Sequence, residues 1–310
     1  MTEILHLITY ASLATLVVSV AARAVKFYRL PVHLRWELYP VAHDLERVGH
    51  GGSYLEQLNW WTKPRHTSLL GELLVMVPEM LLIKALWENN RSLWFRSFPF
   101  HFGLYTLIGF GGLLVLGALA QLLGFPVSAA PDASLVGMAL YYLPILVGYP
   151  GLILTLLGAA ALLHRRLSNP ELRNYTSPSH FFNLAIFLAA FGVTLLASLA
   201  ADRDFALARG YLQSLLSLDL AAPAGSQVVG AEIVLVSLLI AYVPLTHMSH
   251  FFMKWFTWHT VRWDDEPNLR GSKMEAEILE LVKAPVTWSA PHLKADGRKN
   301  WVDIATEEMK

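Results

Sequence analysis

The chain has 310 residues, 55% hydrophobic and 15% charged, with 24 basic and 24 acidic side chains and no cysteine. Soluble domains carry about 25% charged residues. This composition, with a mean hydropathy of +0.43, therefore predicts an all-α integral membrane protein. The absence of cysteine excludes disulfides, thiolate metal sites, protein-held iron–sulfur clusters and a CxxCH haem attachment. A net charge of zero argues against nucleic acid as a partner.

A membrane-spanning helix needs about 20 mostly apolar residues. In chain order, Ile4–Ala22 qualifies and is followed by Arg23, Lys26 and Arg29. It is too long for the apolar region of a signal peptide, and its basic residues follow the apolar run instead of preceding it. Ser68–Trp87 is apolar but carries Glu72, Glu79 and Lys84, with Pro78 in the middle. Phe98–Leu123 has no charge, and Leu135–Leu163 has none before His164-Arg165-Arg166. Phe181–Ala201 stops at Asp202-Arg203-Asp204, and Ile233–Met253 stops at Lys254. Between the last two, Tyr211–Leu220 reads as a short helix capping the outer ends of the bundle.

Charge placement arbitrates the Ser68–Trp87 segment. If it does not span, only Arg203 and Arg209 lie outside and the other 22 basic residues share one side. If it spans, nine fall on one side and 14 on the other, with Lys84 in the membrane. The first topology obeys the positive-inside rule. The expectation is a bundle of five transmembrane helices, with the N-terminus outside and a cytoplasmic C-terminal tail. The spans extend over about residues 4–27, 98–123, 135–163, 181–201 and 232–257. Residues 28–97 form a cytoplasmic insert in which Ser68–Trp87 is an interfacial or re-entrant helix. The alternative is a sixth span. The bundle would occupy residues 1–258 and the tail 259–310, with Trp60-Trp61 as an interface belt.

Twelve histidines are many for a membrane chain. His101 lies near the start of span two, and His247 and His250 near the end of span five, so both helices put histidine at the same depth. Two imidazoles on facing helices can clamp a haem iron axially. Hydrogen-bonded structural histidines, or a proton relay, fit the same positions. Gly103, Gly109, Gly111, Gly112 and Gly117 on span two admit either a flat group or a closely packed helix. Pro244 stands just before His247 and is expected to kink or loosen span five.

Three passages carry a family resemblance: Phe100-His101-Phe102-Gly103-Leu104; His164-Arg165-Arg166-Leu167 with Pro170, Arg173 and Tyr175-Thr176; and Pro244-Leu245-Thr246-His247-Met248-Ser249-His250 running into Trp258-His259-Thr260-Val261-Arg262-Trp263-Asp264-Asp265. The chain resembles the gamma subunit of respiratory nitrate reductase. It is more similar to the cytochrome b subunits of heterodisulfide-reductase-like and sulfite-reductase-linked membrane complexes. Pro31–Pro40 and Trp288-Ser289-Ala290-Pro291-His292 resemble that second branch.

The resemblance implies a haem b protein of the prokaryotic cytoplasmic membrane. It would exchange electrons between menaquinol and a cytoplasmic iron–sulfur subunit of a respiratory complex. It implies His101 and His250 as the axial ligands of the inner haem. The family's outer-haem positions fall on Gly111 and Glu232, neither an ordinary ligand, and the only histidine near the outer face is His6. A displaced second haem would draw on His247, His164 or His180, which otherwise read as surface or supporting residues. Glu232 and His250 are 18 residues apart, about 27 Å along a helix. A quinone site near the inner leaflet, with Glu72 and Glu79 as proton acceptors, then becomes the expectation. Charges turned to the headgroups explain both glutamates equally well. A haem-free anchor for a cytoplasmic redox enzyme, or a small proton channel, are the competing readings.

Overall fold

In the computed structural model the chain is described at residues 2–29, 58–59, 69–223, 225–262, 269–288 and 295–307, with Glu72 and 257–262 described in backbone only. The described residues are helical, with one isolated β-bridge, Pro285 to Asn300, and no strand. Five helices are long and apolar enough to cross a membrane: α1 (Thr2–Tyr28), α4 (Arg91–Leu122), α5 (Leu135–Ser168), α7 (Pro178–Ala200) and the segment Gln227–Leu245, which begins with α9 (Gln227–Tyr242). The others are α2 (Leu69–Leu81), α3 (Lys84–Asn89), α6 (Pro170–Asn174), α8 (Ala206–Ser217), α10 (His250–Arg262), α11 (Lys273–Val282) and α12 (Trp301–Thr306). The insert residues 31–40, Trp60-Trp61, Trp263–Asp265 and the 289–292 part of the tail motif lie outside the described residues.

Two helices differ from their expected bounds. The fifth apolar helix starts at Gln227 and keeps α geometry only to Tyr242. Val243–Leu245 and His247–Ser249 are then two 3-10 turns. Pro244 lacks the N–H that α geometry would use, so the ladder fails there. His247 thus lies in a 3-10 turn and His250 starts α10. In the doubtful segment, α2 is described from Leu69 to Leu81. The helix stops before Ile83, which adopts a left-handed backbone with φ 52°.

The chain divides into two compact units. The first comprises Met1–Val20 and Val77–Ser249. Its closest helix pair is α4 with α5. A Cβ added at Gly103 would strike the Thr155 backbone, and one at Gly158 the Phe100 backbone. Small residues thus let these two backbones approach. Asn90 caps α4 by accepting from Leu93 N at 3.0 Å, and Ser134 caps α5 by accepting from Gly137 N at 3.1 Å. One apolar cluster joins Leu5, Ala197, Tyr211, Leu215, Val229 and Ile233 at the α8 end of this unit. A second joins Phe100, Ala159, Leu184, Phe187, Ala190 and Leu239 toward the α6 end.

The second unit comprises Ala21–Met76 and His250–Lys310. Phe27 and Phe256 make a ring contact at 6.4 Å. In the tail, Asn300 and Asp303 form a reciprocal capping box for α12, and Trp288 meets Trp301 edge to face at 6.2 Å.

Candidate functional site

Four of the histidines singled out in the sequence lie at the α6 end of the first unit. His101 sits one turn after Ser97, whose carbonyl oxygen accepts from its Nδ1 at 2.8 Å. A carbonyl can only accept, so Nδ1 carries the proton and Nε2 bears the lone pair. Phe100 packs edge to face against both His101 (5.4 Å) and Phe187 (5.2 Å), which fixes the first turns of α4. Arg166 donates to Thr176 Oγ1 at 3.4 Å, tying the end of α5 to the residues before α7.

His180 opens α7 and accepts from Ser177 N through Nδ1 at 3.3 Å. Its ring meets that of His247 edge to face at 5.5 Å. Asn183, buried, lies between two polar partners. Its Oδ1 accepts from Tyr242 Oη at 2.7 Å, and its amide nitrogen faces His247 Nε2 at 3.5 Å. The break in α9 after Tyr242 is what brings His247 here. Sequence reasoning found both histidines but missed Asn183 and Tyr242, since nothing local marks a partner about 60 residues away.

His164 ends α5 beside Ser168 Oγ at 3.3 Å. It lines an open cavity of about 640 Å³ together with Arg96, Arg165, Ser168, Asn169 and Glu171. Arg96 and Arg165 are half-buried; His164 and Glu171 are exposed.

His250 begins α10 and belongs to the second unit. Glu79 Oε2 accepts from Ala85 N at 2.9 Å and so stabilises the turn between α2 and α3. Glu72 lies on α2, its side chain outside the described residues. Tyr105 Oη, on α4, donates to Met80 O at 2.9 Å and pins the last turn of α2.

The α8 end of the unit is built differently. His6 is fully buried, with Nδ1 2.9 Å from Thr2 O and Nε2 2.8 Å from Ser214 Oγ. Both nitrogens are taken, which makes it a structural link between α1 and α8. Thr9 Oγ1 lies 2.8 Å from Tyr211 Oη and 3.0 Å from Ser237 Oγ, extending the link to α9. Burial pushes the Tyr211 hydroxyl pKa up.

Asp202 is 4% exposed, and its two carboxylate oxygens accept from Leu207 N and Ala208 N, each at 2.8 Å. These bonds satisfy amides at the start of α8. Burial nonetheless raises the pKa of Asp202. Arg209 is 3% exposed, packs along Gly117, and feels the charges of Asp204 and Asp202. Its Nε and Nη1 have no hydrogen-bond partner among the described residues, and burial lowers its pKa. Sequence reasoning placed Arg209 in an outer loop and missed its burial. The available signal was Asp202, a capping residue a few positions ahead of the helix.

Of the two outer-haem positions, Glu232 lies near Thr194 and the charge of Asp202. Gly111, like Gly109 and Gly112, meets no described atom within 4 Å of an added Cβ. The five glycines of α4 thus divide between close packing, at Gly103 and Gly117, and open space. No group of three or more potential metal ligands occurs among the described residues.

No family model, curated protein or solved structure matches the chain. The functional reading therefore rests on the residues themselves.

Proposed function

We propose that this chain is the membrane cytochrome b subunit of a prokaryotic respiratory complex, with haem b held by His101 and His250. It exchanges electrons between menaquinol in the cytoplasmic membrane and an iron–sulfur subunit on the cytoplasmic side. Cysteine is absent, so the cluster belongs to that other subunit.

One observation carries the reading. The Nδ1 of His101 is anchored to the Ser97 carbonyl, which gives the tautomer that iron ligation through Nε2 requires. A ligating histidine characteristically donates its second nitrogen to a carbonyl or carboxylate, which fixes the ring and raises its basicity. The open space beside Gly109, Gly111 and Gly112 on the same helix suits a large flat group. The donor set fits the haem: two imidazoles and no competing thiolate.

Haem b supplies a one-electron carrier when bound. The chain's own residues hold it: Ser97 orients His101, and Phe100 with Phe187 stiffens the first turns of α4. Glu72 and Glu79 on α2 are the carboxylates assigned to the quinol protons. The N-terminus lies outside and the C-terminus in the cytoplasm, following the positive-inside rule.

The test is optical. The purified protein should show a reduced-minus-oxidised b-type spectrum that His101→Ala and His250→Ala abolish. A wild-type protein without haem would leave a haem-free anchor and overturn the reading.

A further inference from the structure

The cavity at the end of α5 is not needed by the proposed electron path, and its chemistry points elsewhere. Two arginines from two different helices line it, Arg96 on α4 and Arg165 on α5. His164 and Ser168 add hydrogen-bonding groups, and Glu171 is the one carboxylate in the lining. Arg96, Arg165 and Glu171 together give the lining one net positive charge. Arg96 spends Nη1 on Ser92, donating to its Oγ at 2.8 Å and to its carbonyl oxygen. Arg165 forms no ion pair or side-chain hydrogen bond with a described residue, although Glu171 lines the same cavity.

Position decides the class of ligand. The cavity lies where two candidate spans end together, Arg91–Leu122 at its start and Leu135–Ser168 at its finish. Aromatic rings mark the same level. Trp94 stacks on Phe98 at 4.4 Å and meets Trp87 edge to face at 4.8 Å. Tryptophan concentrates at the headgroup depth of a bilayer. Apolar side chains flank the arginines toward lipid: Phe95 is 63% exposed and Leu167 55%. An arginine fork matches phosphate oxygens, and basic pockets between membrane helices take acidic headgroups.

We propose that this cavity binds the phosphate of an anionic phospholipid, with Arg165 and Arg96 as the principal donors and Ser168 as a third. The acyl chains would run along the apolar surface beside Phe95 and Leu167. Free phosphate offers the same oxygens but gains nothing from that surface.

The experiment compares the Tm of the full-length protein in detergent with added phosphatidylglycerol, phosphatidylcholine or inorganic phosphate. Phosphatidylglycerol should raise Tm above the phosphatidylcholine value, and inorganic phosphate at equal concentration should not. The double variant Arg96→Gln, Arg165→Gln should lose the phosphatidylglycerol increment, and Arg165→Gln alone should lose most of it. Arg173→Gln, an exposed cation on α6 outside the lining, should keep it. An equal increment in Arg165→Gln and wild type would overturn the proposal. So would an equal loss in Arg173→Gln, or an equal shift from inorganic phosphate. The result stands apart from haem content, so the proposal can fail while the electron-transfer reading survives, or the reverse.

Discussion

The two ends of the first unit treat polar groups in opposite ways. At the α8 end, His6, Thr9, Tyr211, Ser214 and Ser237 are buried and bonded to one another across three helices. At the α6 end, His101, His164, His180 and His247 are half-buried or exposed, α9 loses its α geometry, and a cavity opens beside two arginines. The first arrangement is a closure. The second leaves chemistry accessible. The comparison teaches that a histidine in a membrane helix is read from its partners. His6 joins two helices through both nitrogens, whereas the Nδ1 anchor of His101 is to Ser97 one turn back on its own helix.

The contrast breaks most strongly at Asp202. Asp202→Ala removes the partner of two α8 amides and leaves Arg209 with Asp204 as its neighbouring charge. Leaving a buried amide without its acceptor costs about 1–3 kcal/mol, and here two amides lose theirs. A large fall in thermal stability, with proteolytic cleavage around α8, is the expected outcome; an unchanged melting curve would mean that the α8 end is not a closure. Acid should not mimic the variant. Folding raises the Asp202 pKa, so the folded state binds that proton more tightly. Its contribution to stability is greatest below the ordinary aspartate range and declines as pH rises through the raised value. The melting temperature of the wild type relative to Asp202→Asn, followed across that range, checks the sign.

His6→Ala comes next in size. It leaves Ser214 Oγ facing a gap where an imidazole stood, a loss of about 1–3 kcal/mol for a buried polar group. Haem content should not change. Loss of haem in this variant would make His6 a ligand and remove the distinction between the two ends.

Tyr242→Phe is the mildest. It deletes the hydrogen bond to Asn183 Oδ1, worth about 0.5–1.5 kcal/mol. The expected outcome is a small drop in melting temperature with the b-type spectrum kept.

What the sequence made legible follows from which forces are local. Five apolar runs of sufficient length specify five helices, and the absence of charge over residues 98–123, 135–163 and 181–201 makes those runs unambiguous. Pro244 announced a disturbance, but not that two 3-10 turns would follow and carry His247 toward His180. The polar closure at the α8 end was not legible. Its partners stand about 200 residues apart, as with His6 and Ser214, and only the packing of α1 and α8 brings them together. Arg209 misled for a related reason: a lone arginine in a loop between spans reads as solvated until Gly117 is seen to make room for it.

The central claim is that the accessible histidine end holds haem b through His101. A pyridine haemochrome assay on the purified chain measures it directly, as haem b per polypeptide. The account predicts a ratio near one or above in the wild type and loss of the His101-dependent haem in His101→Ala. A wild-type ratio near zero, or a His101→Ala protein with its full haem complement, would contradict it.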